Sequence, residues 1–352
     1  MKPKTILFQT ALAEPEAFFA ADPLDGTREA AVALRDRLQR LGYSLVIAPD
    51  DGPIECEWAF FYDAPTVFPY GGWRGPDRRL RAWLSRRPPR RNVFRGCLRS
   101  GLQDRMALFL WEPPSTTPEN YSRRLHDLFP VVFTWHDDLA GRGKYRKMVY
   151  PQLSQWPQMP DVSFQEKKLL VNISANKISL HPRQLYSARR AAIRHFERRR
   201  PDDFDLYGWG WDHLPMGLLR ELWPRPVRRY PSYRGSVERK WEVMPRYRFS
   251  LCYENIRDEP GYVSEKIFDS MRCGCVPIYW GSPNVGQYVS PETFVDRRRF
   301  ASNAELETFM CDMSETEYNR YLGAIRDYLN SEAFRRFSPD AFVDTVVEGV
   351  GL

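Results

Sequence analysis

Residues 261–281 read GYVSEKIFDSMRCGCVPIYWG. The stretch parses as a loop, a short helix, a glycine stop and a buried strand. Ser264 stands at the expected helix N-cap, with Glu265 and Lys266 in the first turn. Ile267, Phe268 and Met271 form one apolar face, and Gly274 ends the helix. CVPIYW then reads as a central strand, in which Pro277 argues for irregular pairing. A glutamate suits a helix start because the dipole favours negative charge there, whereas a lysine is unfavourable. That cost points to an anion near Lys266, and the free N–H groups of the same turn attract phosphate. Glu265 offers two oxygens that can bridge the hydroxyls of a ribose. Gly261 lets the backbone turn closely past a ligand.

The same alternation of strand and helix continues in both directions. KTILFQTAL reads as a strand, AVALRDRLQRLGYSLVIAP as a helix closed by Gly42 and followed by a strand, and WAFFYDAP and MALFLWEPP as further strands. The helix carries apolar residues at 31, 32, 34, 38 and 41. ENYSRRLHDLF follows as a short helix and VVFTWHDDL as a strand and turn. QLSQWPQMPDVSFQE, residues 152–166, has no periodicity and reads as a linker. A second unit starts at KKLLVNIS, continues through the helix LYSARRAAIRHFERR and the strand DFDLYGWGW, and includes the strand at the end of WEVMPRYRFSLCYEN. FVDRRRF is a further strand and turn, and helices are expected at about 303–312, 315–330 and 339–349. Residues 70–102 read as a basic loop and 211–238 as a polar, proline-rich stretch. Two α/β domains with mainly parallel sheets follow from this order. Their expected bounds are 1–155 and 165–335, with a helical tail over 336–352.

Composition agrees with two cores. The 352 residues, 43% of them hydrophobic, exceed what one compact core usually holds. No run of 18 uncharged apolar residues occurs, and the first residues lack the apolar region of a secretory signal. The six scattered cysteines suggest reduced thiols in a cytoplasmic protein. No Cys/His cluster has zinc spacing. The net charge is +7, with arginine runs at 86–95 and 189–200. Such runs suit nucleic acid, anionic lipid, a phosphorylated small molecule or simply a solvated face.

Ligands of open α/β sheets bind outside the carboxyl ends of the strands, so polar residues just past apolar runs are the candidates. LFLWE places Glu112 at such a rim. There it can accept a proton from a hydroxyl, with Trp111 beside it to raise its basicity. The alternative is an exposed strand-end acid. Tyr186, Arg189, Ile193 and Phe196 share one helix face, and an arginine on that face needs an anion. Phosphate fits a planar guanidinium; a salt bridge with Asp205 is the structural alternative. FSLCYEN ends in Glu254 and Asn255, which can accept hydrogen bonds from sugar hydroxyls or cap a turn. His136-Asp137-Asp138 reads as a capped turn rather than a metal motif. Neither a Walker A sequence nor His-Glu-x-x-His is present, and YGWGW lacks the third glycine of a dinucleotide fingerprint.

Taken together, YRFSLCYENIRDEPGYVSEKIFDSMRCGCVPIYWGSPNV resembles the C-terminal signature of glycosyltransferase family 10, the α-1,3/4-fucosyltransferases. The resemblance extends more weakly upstream through SANKIS and the arginine helix. It implies a GT-B fold, two Rossmann-like domains facing across a cleft. It also implies an inverting transfer of fucose from GDP-fucose to a glycan hydroxyl. Carried over by position, Glu112 is the base, and Arg189 and Lys266 meet the diphosphate. Glu265 meets the ribose, Tyr262 and Val263 lie beside the nucleotide, and Glu254 and Asn255 lie near the fucose and phosphate. Ser264 replaces a common threonine and keeps its hydroxyl. No metal or other cofactor is expected, because the cations and the helix N-terminus stabilise the departing GDP.

The partners expected are the nucleotide sugar and a glycan acceptor, without nucleic acid. The basic loop at 70–102 suggests an acidic glycan or lipopolysaccharide as acceptor. The C-terminus lacks the heptads and basic tail of some bacterial members, which leaves contact with the inner face of the membrane open. The rival readings are an enzyme of this fold using another nucleotide sugar and a basic nucleic-acid-binding protein with tryptophans that stack on bases. The residues name neither the acceptor nor the oligomeric state.

Overall fold

The computed structural model describes residues 4–10, 18–19, 25–48, 54–68, 92–213 and 230–352. Apolar runs bounded by turns form two parallel sheets, each in its own compact unit. The first unit comprises Met1–Leu153 and Phe337–Leu352, the second Ser154–Arg336.

In the first unit six strands run β1 (Lys4–Gln9), β2 (Tyr43–Ile47), β3 (Trp58–Tyr62), β4 (Met106–Leu110), β5 (Val131–Thr134) and β6 (Tyr145–Lys147). Their spatial order is β2-β1-β3-β4-β5-β6, and every pairing is parallel. All five residues of β4, MALFL, are buried, as expected of a central strand covered on both faces. Helix α1 (Gly26–Arg40) crosses from β1 to β2 and starts at Asp25, whose side chain accepts from Arg28 N. It buries Ala30, Ala31, Leu34 and Leu38, whereas Leu41, read as part of the apolar stripe, lies past the helix and is exposed. Helix α2 (Val93–Arg99) corrects the reading of 70–102 as loop throughout. Asn92 caps it by accepting from Arg95 N, and it buries Val93, Phe94 and Cys97. The arginine run at 86–91 lies outside the described residues.

The second unit holds β7 (Lys168–Ile173), β8 (Phe204–Tyr207), β9 (Tyr247–Tyr253), β10 (Val276–Trp280) and β11 (Val295–Asp296), ordered β11-β10-β9-β7-β8 and again all parallel. Helix α3 (Tyr186–Arg199) joins β7 to β8, and α4 (Glu265–Arg272) joins β9 to β10. Gly274, at φ +66°, lets the chain leave α4. Helices α5 (Asn303–Asp312) and α6 (Glu315–Leu329) follow; Ser314 and Glu317 form a reciprocal capping box at the start of α6. Pro277 does not make β10 irregular. The strand pairs with β9 over all five residues, while its other neighbour, β11, begins only opposite Ile278. The missing N–H therefore falls where the ladder on one side has not yet started.

Two expectations about the connections change. The segment expected as a linker carries Trp156, which packs edge-on against Trp241 with ring centres 5.3 Å apart, inside the second unit. The expected tail is helix α7 (Pro339–Val350), and it completes the first unit. It buries Phe342, Val343, Val346 and Val347; Phe342 packs on Trp111 and Phe109. A Cβ on Gly349 would lie 2.6 Å from the Phe133 ring, so the glycine permits this close docking on the sheet.

Chain order defines where each sheet reverses. In the first unit β2 lies on one side of β1 and β3 on the other. In the second unit β8 and β9 flank β7 in the same way. The crevice outside the carboxyl ends at such a switch point is where open α/β sheets hold ligands.

Candidate active site

In the second unit the loop after β9 and the start of α4 form one charged cluster. Glu254, one residue past β9, is fully buried, and its backbone N–H donates to Trp280 O at 2.8 Å. Its carboxylate accepts from Ser264 N at 2.8 Å, from the Ser264 hydroxyl at 2.7 Å and from Lys266 Nζ at 3.2 Å. Lys266 also donates to Ser264 Oγ at 2.8 Å and lies 3.5 Å from Glu265. A Cβ on Gly281 would stand 2.4 Å from Glu254 Cγ, so only glycine leaves room for this carboxylate.

This geometry revises three expectations. Ser264 occupies the N-cap position, but its side chain makes no capping bond and serves Glu254 instead. The anion implied by Lys266 is in the first place Glu254, a protein carboxylate. Glu254 itself is enclosed by its three donors and does not offer a free oxygen to a sugar hydroxyl. Burial alone would pull the Lys266 ammonium down, but Glu254 and Glu265 hold it above the usual lysine range.

Lys240, from the turn before β9, joins the cluster by pairing with Asp269 and lies 4.0 Å from Glu265. Desolvation works against ionisation of Glu265, yet Lys266 and Lys240 bring its carboxyl down to about 2. Its side chain keeps 40% of its surface exposed, so it is the open acid of the group. Arg189 is 3% exposed and donates from Nη2 to the carbonyls of Tyr253 and Glu254, the latter at 3.1 Å. Backbone carbonyls at the end of β9, not Asp205, thus meet this arginine. Asp205 takes Lys168 at 2.8 Å and Arg234 at 2.6 Å. Arg190 donates to Lys177 O at 2.7 Å.

Tyr262 and Val263 are buried in the intervening loop, and the amide of half-buried Asn255 donates to Tyr262 Oη at 3.4 Å. Gly261, at φ +84°, donates its N–H to Ser282 Oγ and Asn284 Oδ1. Thus Arg189, Glu254, Asn255, Tyr262, Val263, Ser264, Glu265 and Lys266 converge beside the switch point of one sheet. Lys240 and Asp269 were not anticipated. Asp269 lies four residues after Glu265, on the same side of the helix, which was the available signal.

Glu112 belongs to the other unit and is described there alone. It lies two residues past β4, half-buried, and its carboxylate makes no hydrogen bond or ion pair among the described residues. Its backbone is held differently. Asp63 Oδ1 accepts from Trp111 N at 2.8 Å and from Glu112 N at 3.2 Å. Asn120 Nδ2 donates to Glu112 O at 2.9 Å and to Asp63 Oδ1 at 2.5 Å. Low-dielectric surroundings and the nearby Glu112 charge push the Asp63 carboxyl up to about 7, against the N–H donors that favour its ionised form. Neither Asp63 nor Asn120 was singled out from the sequence, although WAFFYD ends as LFLWE does, with an acid after an apolar strand.

His136-Asp137-Asp138 is the expected turn: His136 N donates to Thr134 Oγ1, Asp138 N donates to His136 Nδ1, and Asp137 pairs with Lys147 at 2.6 Å. No group of three or more His, Cys, Asp or Glu among the described residues has metal-ligand geometry.

Two parallel α/β units of this kind make up the GT-B fold of the solved structures this chain is similar to. A solved α1,3-fucosyltransferase with GDP-fucose shares the fold, with a TM-score of 0.54 and 16% identity over 99% of this chain and 91% of the other. Residues 227–338 match the family described as glycosyltransferase family 10 (fucosyltransferase) C-term. The α-(1,3)-fucosyltransferase FucT of Helicobacter pylori is 38% identical over 87 residues, 25% of this chain and 18% of its own length. An α-(1,4)-fucosyltransferase of Arabidopsis thaliana is 38% identical over 80 residues, 21% of this chain and 20% of its own length. The match thus spans about a fifth of each relative. Over residues 227–338 the chain is thus similar to the C-terminal segment of glycosyltransferase family 10.

Proposed function

We propose that the protein is an inverting glycosyltransferase that moves L-fucose from GDP-fucose to a hydroxyl of a glycan acceptor. The observation that carries this reading is the Lys266 cluster, at the start of α4 beside the switch point and within the matched family segment. Arg189, Lys240 and Lys266 stand against Glu254, Glu265 and Asp269, so the cluster is balanced before a ligand arrives. A diphosphate at the helix N-terminus competes with Glu265 for Lys266. The released Glu265 carboxylate then takes the ribose hydroxyls. Arg189 supports the same phosphates from behind the end of β9. As the bond to GDP breaks, these cations stabilise charge on the leaving diphosphate.

Glu112 is the proposed base: it takes the acceptor proton as that oxygen attacks the anomeric carbon from the face opposite GDP, which inverts the configuration. Fucose as the sugar is supported by the family and by relatives of both α-1,3 and α-1,4 linkage. A reducing compartment, the cytoplasm, belongs to the same reading and is supported by six free thiols.

Thermal-shift titration with GDP, UDP, CDP and their sugars tests the donor. GDP and GDP-fucose are expected to raise the unfolding temperature most. A preference for UDP or CDP would replace fucose transfer with another donor on the same fold. Mass analysis of acceptors incubated with GDP-fucose then tests transfer.

A further inference from the structure

β3 stops at Tyr62 because Asp63 takes a backbone conformation with φ 63° and ψ 161°, a region populated almost only by glycine. The chain turns there into the one-turn helix Ala64–Val67, while the chain leaving β4 continues through Trp111 and Glu112 without a strand partner on that side. The ladder bonds that β3 would have supplied are replaced by side chains. Asp63 takes the N–H groups of Trp111 and Glu112. Asn120 takes the Glu112 carbonyl, and its own carbonyl oxygen accepts from Ala64 N at 2.7 Å. Trp135 Nε1, at 3.1 Å, and Tyr150 Oη donate to the Trp111 carbonyl. Every backbone polar group of these two residues is thus held by a side chain from elsewhere in the unit, while the Glu112 carboxylate is left unpaired among the described residues.

A strained non-glycine residue persists only where its surroundings over-determine it, and such residues cluster at functional sites. We propose that Asp63, with Asn120, is a positioning residue for the transfer reaction, clamping the Trp111–Glu112 backbone so that the Glu112 carboxylate is held in one place. The inference rests on the reading of Glu112 as base. Asp63 Oδ1 accepts from both N–H groups, so a side chain without an acceptor at that point leaves two N–H groups unmet. An asparagine keeps the Oδ1 acceptor and places its N–H₂ where Oδ2 stood. A glycine relieves the backbone strain and removes the clamp, which separates folding from positioning.

The test uses the full chain carrying Asp63→Gly, Asp63→Asn, Glu112→Gln and the Asp63→Gly/Glu112→Gln pair. Hydrogen exchange followed by mass spectrometry should show faster exchange in peptides covering Trp111 and Glu112 in Asp63→Gly than in the wild type or Asp63→Asn, with β8 of the other unit unchanged. Unchanged exchange at 111–112 would overturn the clamp. GDP release from GDP-fucose, with the best acceptor of the wild-type protein, should show kcat down about 10- to 100-fold in Asp63→Gly. The KM for GDP-fucose should stay within about twofold, since binding energy there is untouched. In the Glu112→Gln background, Asp63→Gly should add almost no further loss, because the two residues act as one unit. Equal losses in both backgrounds would make Asp63 merely structural and sink the proposal. Wild-type turnover by Glu112→Gln would instead remove the base reading, and the role of Asp63 in the reaction with it, while the exchange data still decide whether the clamp exists.

Discussion

At the rim of each sheet a carboxylate gathers backbone N–H groups just beyond a strand end, but its neighbours differ. Glu254 meets Ser264 N and its hydroxyl together with a lysine, and three cations and three acids share that corner. Asp63 meets N–H groups and the charge of Glu112 instead of a lysine. The consequence is opposite electrostatics. Around Lys266 the open acid, Glu265, is held ionised down to about 2, whereas Asp63 is lifted to about 7. One rim carries a carboxylate held ionised beside lysines, the other a raised carboxyl beside Glu112.

The comparison breaks most sharply at Glu112. Glu112→Gln is expected to lower transfer by about two to four orders of magnitude and to leave GDP affinity within a few-fold by calorimetry. Retained turnover would mean that the first rim takes no proton. Next in size is Glu254→Ala. Removing a fully buried partner strands Lys266 and Ser264, so the unfolding free energy should fall by about 3 kcal/mol, the lower end of the range for a broken buried pair because Lys266 keeps some exposure. Denaturant titration reads it, and an unchanged midpoint would mean that the carboxylate does not hold the cluster. Lys266→Ala should weaken GDP binding about 10- to 100-fold, the worth of one charged hydrogen bond. Unchanged affinity would take the phosphate away from this rim.

Much of this contrast was legible in the sequence. Apolar runs closed by Glu112, Glu254 and Gly274 predict strand ends and a helix stop from local chemistry alone, and the strands and helices follow. The oddness of Lys266 at a helix start was legible too, and it does mark an anion. Its identity was not, because Glu254 reaches Lys266 across a twelve-residue separation through a sheet pairing that no local pattern encodes. Asp63 escaped notice for the same reason: its partners Trp111 and Asn120 lie 48 and 57 residues away. The course of residues 337–352 depends on tertiary packing of α7 against α1, β5 and β6, and its amphipathic pattern alone names no partner.

The smallest expected effect is a slope with pH. The groups whose charge bears on Asp63 are Glu112 and the neighbouring Tyr62, whose phenol burial pushes far above neutrality and so leaves uncharged in this window. Asp63 is raised from 3.8 in the unfolded chain to about 7 in the folded one. The folded state therefore holds the proton more tightly, and the stability linked to it is complete below about 4 and is lost as pH rises through about 7. The full shift would carry about 4 kcal/mol; the partial exposure of Asp63 reduces this to about 1–2 kcal/mol. Glu265 has the opposite sign: its contribution is present above about 4 and disappears as pH falls toward 2. Denaturant midpoints at several pH values between 4 and 8 should thus fall for the wild type relative to Asp63→Asn, which cannot lose that proton. A wild-type midpoint that stays level over this window relative to the variant would mean that Asp63 is an ordinary ionised acid, and the two rims would then share one electrostatic character.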